Sequence, residues 1–263
     1  MSRIDVSIVS PAHIDVSVVI PAYNEARRLP TTLHGWRSFL AQQAYTSEVI
    51  VGDDGSTDAT SRVAGEAGVR VIRLEPNQGK GAAVRASVLA ADGRVIAYAD
   101  ADMNVAPAYL ARALEYLDTT SGEPGRGATG KRGRGRADLV IGRRRLAEYA
   151  AAEGPLRLVA GGLVQVTRRA LVLRGIQDTQ CGFKVFRRDL ARAVFARARL
   201  NSFAFDIEVL FLARKLGARI VEMPVVTTYR AESTFNVREH LPRLLRDIVQ
   251  IRLNDLAGQY DAR

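Results

Sequence analysis

Four short apolar runs, separated by helical patterns, limit what this chain can fold into. They read VSVVI (16–20), EVIV (48–51), VRVI (69–72) and RVIAYA (94–99). Each is rich in β-branched residues and apolar at consecutive positions. A strand with two apolar faces is buried on both, as in a parallel sheet covered by helices. Residues 26–43 carry Leu29, Leu33, Trp36 and Leu40 on one helical face, and helical patterns follow over 59–67, with Thr57 or Asp58 as cap, and within 77–91. Alternating strands and helices predict an α/β doubly wound sheet. Ligands bind such sheets beyond the C-terminal ends of the strands. Three polar clusters fall there: PAYNE (21–25), DDGSTD (53–58) and DAD (100–102).

The second half is less regular. Residues 121–136, SGEPGRGATGKRGRGR, offer nothing to a core and read as a flexible Gly/Arg-rich surface loop. Strands are expected over 137–145, 183–189 and 218–226. Helices are expected over 153–175, over 202–217 with Gly217 as its stop, and over 236–256. We expect a single domain over 1–263. It divides into a first half (15–105), the loop (121–136), a second half (137–235) and a C-terminal helix and tail (236–263).

Composition removes several classes of function. The chain has 263 residues, 47% hydrophobic and 25% charged, which is globular composition. Its formal net charge of +10 favours anionic partners. One cysteine, Cys181, excludes an internal disulfide and a Cys-rich zinc site, and fits a reducing, cytoplasmic setting; it reads as a small packed residue. Three scattered histidines show no metal-ligand spacing. There is no GxGxxG fingerprint, no GxxxxGK[ST] loop and no GxSxG elbow. No run reaches the roughly 18 apolar residues of a membrane span, and the first residues do not read as a secretory signal.

The chemistry that remains centres on oxygen ligands. Asp100 and Asp102, one residue apart at a strand end, can turn toward one hard cation, Mg²⁺ or Mn²⁺, which shares its shell with substrate phosphates. Asp53 and Asp54 can accept hydrogen bonds from a base or a ribose, and Gly55 allows a backbone closed to other residues. Asn77, Gln78, Gly79, Lys80 and Gly81 precede a helix in the manner of a phosphate cradle.

VSVVIPAYNEARRLPTTL, VGDDGSTDAT, NQGKGAAVR and YADADMN, in this order over most of 15–105, resemble the family 2 glycosyltransferases. RGIQDTQCGFKVFRRDLA (174–191) and LNSFAFDIEVLFLARKLGARIVEMPV (200–225) are similar to the dolichyl-phosphate β-glucosyltransferase and polyprenyl-phosphate glycosyltransferase branch. The resemblance implies a GT-A fold: a Rossmann-like, mixed, mainly parallel sheet flanked by helices, here with a C-terminal amphipathic helical extension. It implies inverting, metal-dependent transfer of a hexose from a nucleotide sugar, UDP-glucose or similar, to a polyprenyl or dolichyl phosphate at a membrane surface, with 15–105 as the nucleotide-sugar-binding half and 137–235 as the acceptor half. Pro21, Tyr23, Glu25, Asp53, Asp54, Lys80, Asp100 and Ala101 would bind the nucleotide sugar. Asp100 and Asp102 would hold the metal, and Asp178, with Asp102, would be catalytic.

The residues themselves add candidates for the acceptor. Arg143 and Arg144 follow a strand and can grip its phosphate. Arg230 takes the place of a lysine that the branch usually carries. Segments 155–174 (Arg157, Arg168, Arg169, Arg174) and 238–253 (Leu241, Leu244, Leu245, Ile248, Val249 and Ile251 among Arg238, Arg243, Arg246 and Arg252) are basic and amphipathic. They suit peripheral contact with the cytoplasmic face of an anionic membrane. Two alternatives stay open: a soluble glycosyltransferase with a small polar or secondary-metabolite acceptor, and a non-catalytic protein that binds nucleotide sugar or nucleic acid. The latter is disfavoured because 121–136 has no aromatics to stack on bases.

Overall fold

In a computed structural model, strand β1 (Val16–Ala22) is buried at every position, as an apolar run in the centre of a covered sheet must be. The structure describes residues 14–118, 136–144, 162, 164, 166–227 and 237–261, with the backbone alone at 237–240. After β1 come α1 (Leu29–Leu40), β2 (Ser47–Asp53), α2 (Thr60–Glu66), β3 (Arg70–Arg73), α3 (Lys80–Ala90), β4 (Val95–Ala99) and α4 (Tyr109–Asp118). The second half supplies β5 (Leu139–Arg143), β6 (Phe183–Arg187), α5 (Arg188–Arg197), α6 (Phe205–Lys215), β7 (Ile220–Pro224) and α7 (Val237–Leu256).

The seven strands form one sheet in the order β3-β2-β1-β4-β6-β5-β7, which runs across both halves of the chain. Strands β1 to β4 are mutually parallel, with Val18 opposite Val49 on one side and Ala97 on the other. Strand β6 runs antiparallel to both β4 and β5, and β7 runs parallel to β5. The sheet is therefore mixed and mainly parallel, flanked by helices as expected.

Side chains alternate between two cores, the period of a strand. Val19, Ile50, Ile96 and Tyr98 face a core that also holds Val84 of α3, Phe195 of α5, Leu210 of α6 and Ile248 of α7. Val18, Ile20, Val51 and Ala97 face Leu33 and Trp36 of α1 and Leu110 of α4. Leu33 and Trp36 are almost fully removed from water, and side chains of this kind contribute about 1.5–3 kcal/mol each.

The element boundaries depart little from expectation. The N-cap of α2 is Ala59 rather than Thr57 or Asp58; Asp58 stands one residue earlier and accepts the Thr60 N–H through Oδ1 at 2.9 Å. Gly217, at φ 78°, stands beyond α6. Helix α7 packs inward through Leu244, Ile248 and Ile251. Where described, the helix expected over 153–175 runs only to 171, and Gly175 turns the chain at φ 83°. One reading there is overturned. Arg168, assigned to a membrane-facing basic stripe, is 2% exposed and donates to the Ile176 carbonyl at 2.9 Å, so it points into the fold. The Gly/Arg-rich loop lies outside the described residues, apart from Arg136.

Candidate active site

Pro21 lies opposite Gly52 near the end of β1, and the carbonyl of the last strand residue, Ala22, accepts the Asp54 N–H at 2.9 Å. The next residues form a shelf. Tyr23 stands 48% exposed. Asn24 turns the chain at φ 55°, a left-handed conformation that Asn tolerates better than most residues. Its Oδ1 accepts the Thr57 N–H at 2.9 Å, and its own N–H donates to Ser56 Oγ at 2.9 Å. Asn24 thus zips 21–25 onto 53–60, a role the sequence reading missed. Glu25 accepts from Arg28 Nε at 2.7 Å and Nη2 at 3.0 Å. Burial raises its carboxyl, against the pull of Arg28.

Asp53 and Asp54 organise this shelf rather than project from it. Asp53 is fully buried, accepting from the Ser56 N–H at 2.9 Å, from Arg73 Nη1 at 2.8 Å and from the Ser61 hydroxyl. Burial alone would raise its carboxyl, but the serine hydrogen bonds and Arg73 together hold it below the ordinary value. Both Asp54 oxygens are engaged with the next loop: Oδ1 with the Gln78 N–H at 2.8 Å, Oδ2 with the Gly79 N–H at 2.8 Å and Asn77 Nδ2 at 3.0 Å.

Those bonds correct the phosphate-cradle reading of Asn77 to Gly81. The amides of Gln78 and Gly79 are spent on Asp54, and that of Gly81 donates to the Asn201 carbonyl at 2.8 Å. What this loop offers the cleft is one cation. Lys80 Nζ lies 2.6 Å from Asp100 Oδ1 and 6.0 Å from the centre of the Phe205 ring. Burial pulls its ammonium down, but the Asp100 and Asp206 carboxylates raise it more.

Asp100 and Asp102 sit just past β4, at the rim expected. Between them Ala101 is buried, and its carbonyl accepts from Thr32 Oγ1 at 2.5 Å. Asp102 accepts the Asn104 N–H at 3.1 Å. Burial raises its carboxyl, and so does the Asp100 charge. Two hard oxygen donors that repel one another, with an ammonium already drawn to one, fit a divalent cation. Among the described residues there is no group of three or more His, Cys, Asp or Glu side chains that could hold a metal. The remaining ligands of Mg²⁺ or Mn²⁺ would be phosphate oxygens and water.

Asp178 is buried against Arg144, which lines the same cleft as the carboxylate pair. Arg144 of the β5 end forks onto it, with Nε 2.7 Å from Oδ2 and Nη2 2.9 Å from Oδ1, and adds its N–H at 3.1 Å. Burial would raise the Asp178 carboxyl, but the Arg144 hydrogen bonds and charge hold it below 3.8. Arg143 reaches Gln177 Oε1 at 3.3 Å. Two further groups hold the Asp178 segment, and neither was singled out from sequence. Glu222 of β7 accepts the N–H groups of Gln177 at 2.8 Å and Asp178 at 3.1 Å. Lys184 of β6 donates to the Cys181 carbonyl at 2.8 Å. Cys181 itself is buried and packed, and burial drives its thiol up to about 12.

The cleft is lined by Asp100, Asp102, Asn104, Arg144, Gln180 and Gly182, among others. The fold therefore brings Lys80, Asp100, Asp102, Arg144 and Asp178 together. The 21–25 and 53–54 clusters build a neighbouring shelf. Arg230 lies outside the described residues.

The family model for "Glycosyl transferase family 2" matches residues 17–195, and the chain belongs to this family. It is a glycosyltransferase. It is similar to enzymes named dolichyl-phosphate beta-glucosyltransferase from Dictyostelium discoideum (32% identity, covering 90% of this chain and 73% of that protein) and Drosophila melanogaster (35%, 91% and 74%). The human protein of that name is 33% identical over 91% of this chain and 75% of its own length. Among solved structures, glucosyl-3-phosphoglycerate synthase from Mycobacterium tuberculosis, in complex with Mn²⁺, UDP and phosphoglyceric acid, superposes with a TM-score of 0.64 at 22% identity, covering 96% of this chain and 80% of that one. The fold is thus the GT-A fold.

Proposed function

We propose that this enzyme transfers glucose from UDP-glucose to a polyprenyl phosphate of the dolichyl type, with inversion at the sugar. The observation that carries the choice of acceptor is the Arg144 fork on Asp178. A carboxylate gripped by a guanidinium and held below 3.8 is a weak base. A sugar or alcohol acceptor needs a base poised near neutral pH to take its proton. A phosphate monoester needs none, because its second pKa is about 6 and it arrives ionised. The names of the relatives point the same way.

The residues divide the work as follows. Tyr23 offers an exposed ring to the uracil. Glu25 and the Pro21–Ala22 end of β1 border the nucleoside, while Asp53 and Asp54 act by fixing the loops that receive it. Lys80 exchanges its contact with Asp100 for the diphosphate. Asp100 and Asp102, with the Ala101 backbone between them, hold Mg²⁺ or Mn²⁺. When bound, the cation neutralises charge that develops on the departing UDP. An acceptor phosphate oxygen attacks the anomeric carbon from the face opposite the diphosphate. The bond from that carbon to UDP breaks, UDP leaves with the electron pair, and no proton has to be removed. Arg143 and Arg144 steer the acceptor phosphate, Arg230 is a third candidate, and Asp178 orients Arg144.

Membrane contact belongs to the same proposal. Helix α7 leaves Val249, Leu253 and Leu256 exposed, the last 70%, and the Arg246 side chain of the same helix is exposed as well. No helix among the described residues is long and apolar enough to cross a membrane. A lipid acceptor would then be met at the surface.

The test is product analysis by mass spectrometry. Purified protein, Mg²⁺ or Mn²⁺ and a panel of nucleotide sugars are incubated with a short-chain polyprenyl phosphate and, separately, with small polar acceptors. We expect one glucosyl-phosphoryl-lipid, formed from UDP-glucose and abolished by EDTA. Transfer to polar acceptors with no lipid product would overturn the proposal in favour of a soluble acceptor.

A further inference from the structure

The mechanism above leaves unused a fully buried charged cluster beneath the cleft. Lys184, the second residue of β6, is 0% exposed and lies opposite Tyr98 of β4. Its Nζ donates to Asp206 Oδ1 at 2.6 Å, to Cys181 O at 2.8 Å and to Tyr98 Oη at 2.9 Å. All three ammonium donors are thereby used. Asp206, in the first turn of α6, also accepts from the Tyr98 hydroxyl. A chain of this composition can fill such a position with an apolar residue, as it does at neighbouring sheet positions. A buried ion pair is moreover weak evidence of stability, since apolar replacements are often neutral or stabilising.

The third bond distinguishes this cluster from a plain core pair. The Cys181 carbonyl belongs to the short segment between Asp178 and Gly182. At one end of it Asp178 meets Arg144. At the other the Gly182 carbonyl accepts the Asp100 N–H at 3.0 Å, and the Gly182 Cα lies against the Asp100 carboxylate. Glu222 holds the first end through the Gln177 and Asp178 amides. Lys184 pins the middle. Losing its donor orphans a buried carbonyl between the two acidic centres and frees the segment to shift.

We propose that Lys184 is a positioning residue for the transfer reaction, setting the spacing between Asp178 and Asp100 through its hydrogen bond to the Cys181 carbonyl, with Asp206 as its counter-ion. The inference rests on the assignment of Asp178 and Asp100 to the reaction given above.

The test compares two variants of the full chain. Asp206→Asn leaves Lys184 in place to donate to Cys181. Lys184→Met with Asp206→Asn removes both charges, so that no unpaired ion is left buried, and also removes the donor. We expect Asp206→Asn, which leaves Lys184 buried without its counter-ion, to melt below the double variant, so both are assayed well below their transitions. We expect kcat for glucosyl transfer on the order of 10²-fold lower in the double variant than in Asp206→Asn, as misplacement by about 1 Å can cost. KM for UDP-glucose should be similar in the two. Hydrogen exchange of the Gln180 and Gly182 amides should be at least about tenfold faster in the double variant, with the β1 amides unchanged. Equal kcat in the two variants, or equal exchange over 178–182, would overturn the proposal, since a purely structural pair predicts both. Exchange does not depend on the acceptor. A wild-type protein that transfers glucose to no lipid phosphate would sink the functional reading, and the exchange result would still decide whether Lys184 holds the segment.

Discussion

Gly182→Ala is a steric probe aimed at one functional carboxylate. A Cβ at Gly182 would run into the Asp100 side chain, with its nearest oxygen far inside contact distance and even Oδ1 at 2.8 Å. Ordinary contact begins near 3.4 Å, so the farther oxygen must retreat by about 0.6 Å and the nearer one by more. Gly182 is not among the positive-φ glycines, so backbone strain does not enter. The Asp100 side chain is 31% exposed and can rotate away. Rotation breaks its ion pair with Lys80, a partly exposed contact worth no more than about 1 kcal/mol. Folding should therefore survive while the metal-binding geometry does not. Displacement on the order of 1 Å at a reacting centre can cost about 10²-fold in rate, close to 2.7 kcal/mol of barrier. We expect kcat/KM to fall by about that factor and the Mn²⁺ concentration for half-maximal rate to rise. Both are read by titrating transfer activity with Mn²⁺, next to a melting curve. A variant whose kcat/KM and Mn²⁺ response stay within twofold of wild type would refute the role given to Asp100.

Other expectations are simpler. Cys181, 1% exposed and with its thiol raised to about 12, should be silent to a disulfide-exchange reagent in the native protein and react as one thiol after denaturation. Arg144→Met removes the charge that holds Asp178 down and leaves burial to push its carboxyl up. Transfer should weaken through loss of the acceptor contact, and no new acid limb should appear in kcat/KM, because Asp178 acts on the reaction only through Arg144. The same shift has a stability counterpart. The contribution of Asp178 is present above the ordinary 3.8 and lost as pH falls through the lower folded value, so wild type should outlast the variant most clearly above about pH 4 in denaturant titrations. Gly65→Ala in α2, where an added methyl meets nothing within 4 Å, should raise stability by about 0.5–1 kcal/mol.

Much of the fold was legible because burial on both faces leaves a direct trace in sequence. β1, β2 and β4 appear as consecutive apolar runs, and the rim clusters 21–25, 53–58 and 100–102 follow from where those runs stop. What was not legible depends on who sits beside whom. Nothing local in 139–143 or 183–187 says that β6 slips between β4 and β5 in the opposite direction, yet that reversal carries Asp178 toward Asp100. Lys184 falls in a segment read only as a strand, and Arg168 reads as part of a basic stripe. Both are buried because partners receive them that no local pattern shows: Asp206 and Tyr98, far along the chain, for Lys184, and the Ile176 carbonyl, brought back by the turn after the helix, for Arg168. The glycines around Lys80 read as a phosphate cradle because the pattern shows which amides exist, not which are already spent, and Asp54 had taken two of them. Two kinds of acidic position contrast here. Asp53, Asp54, Glu208 and Glu222 accept hydrogen bonds from within the fold and fix loops. Asp100 and Asp102 remain at the cleft with mutual repulsion only partly offset by Lys80. Only the second kind gains from a divalent cation, and it is the pair whose spacing the sequence already displayed.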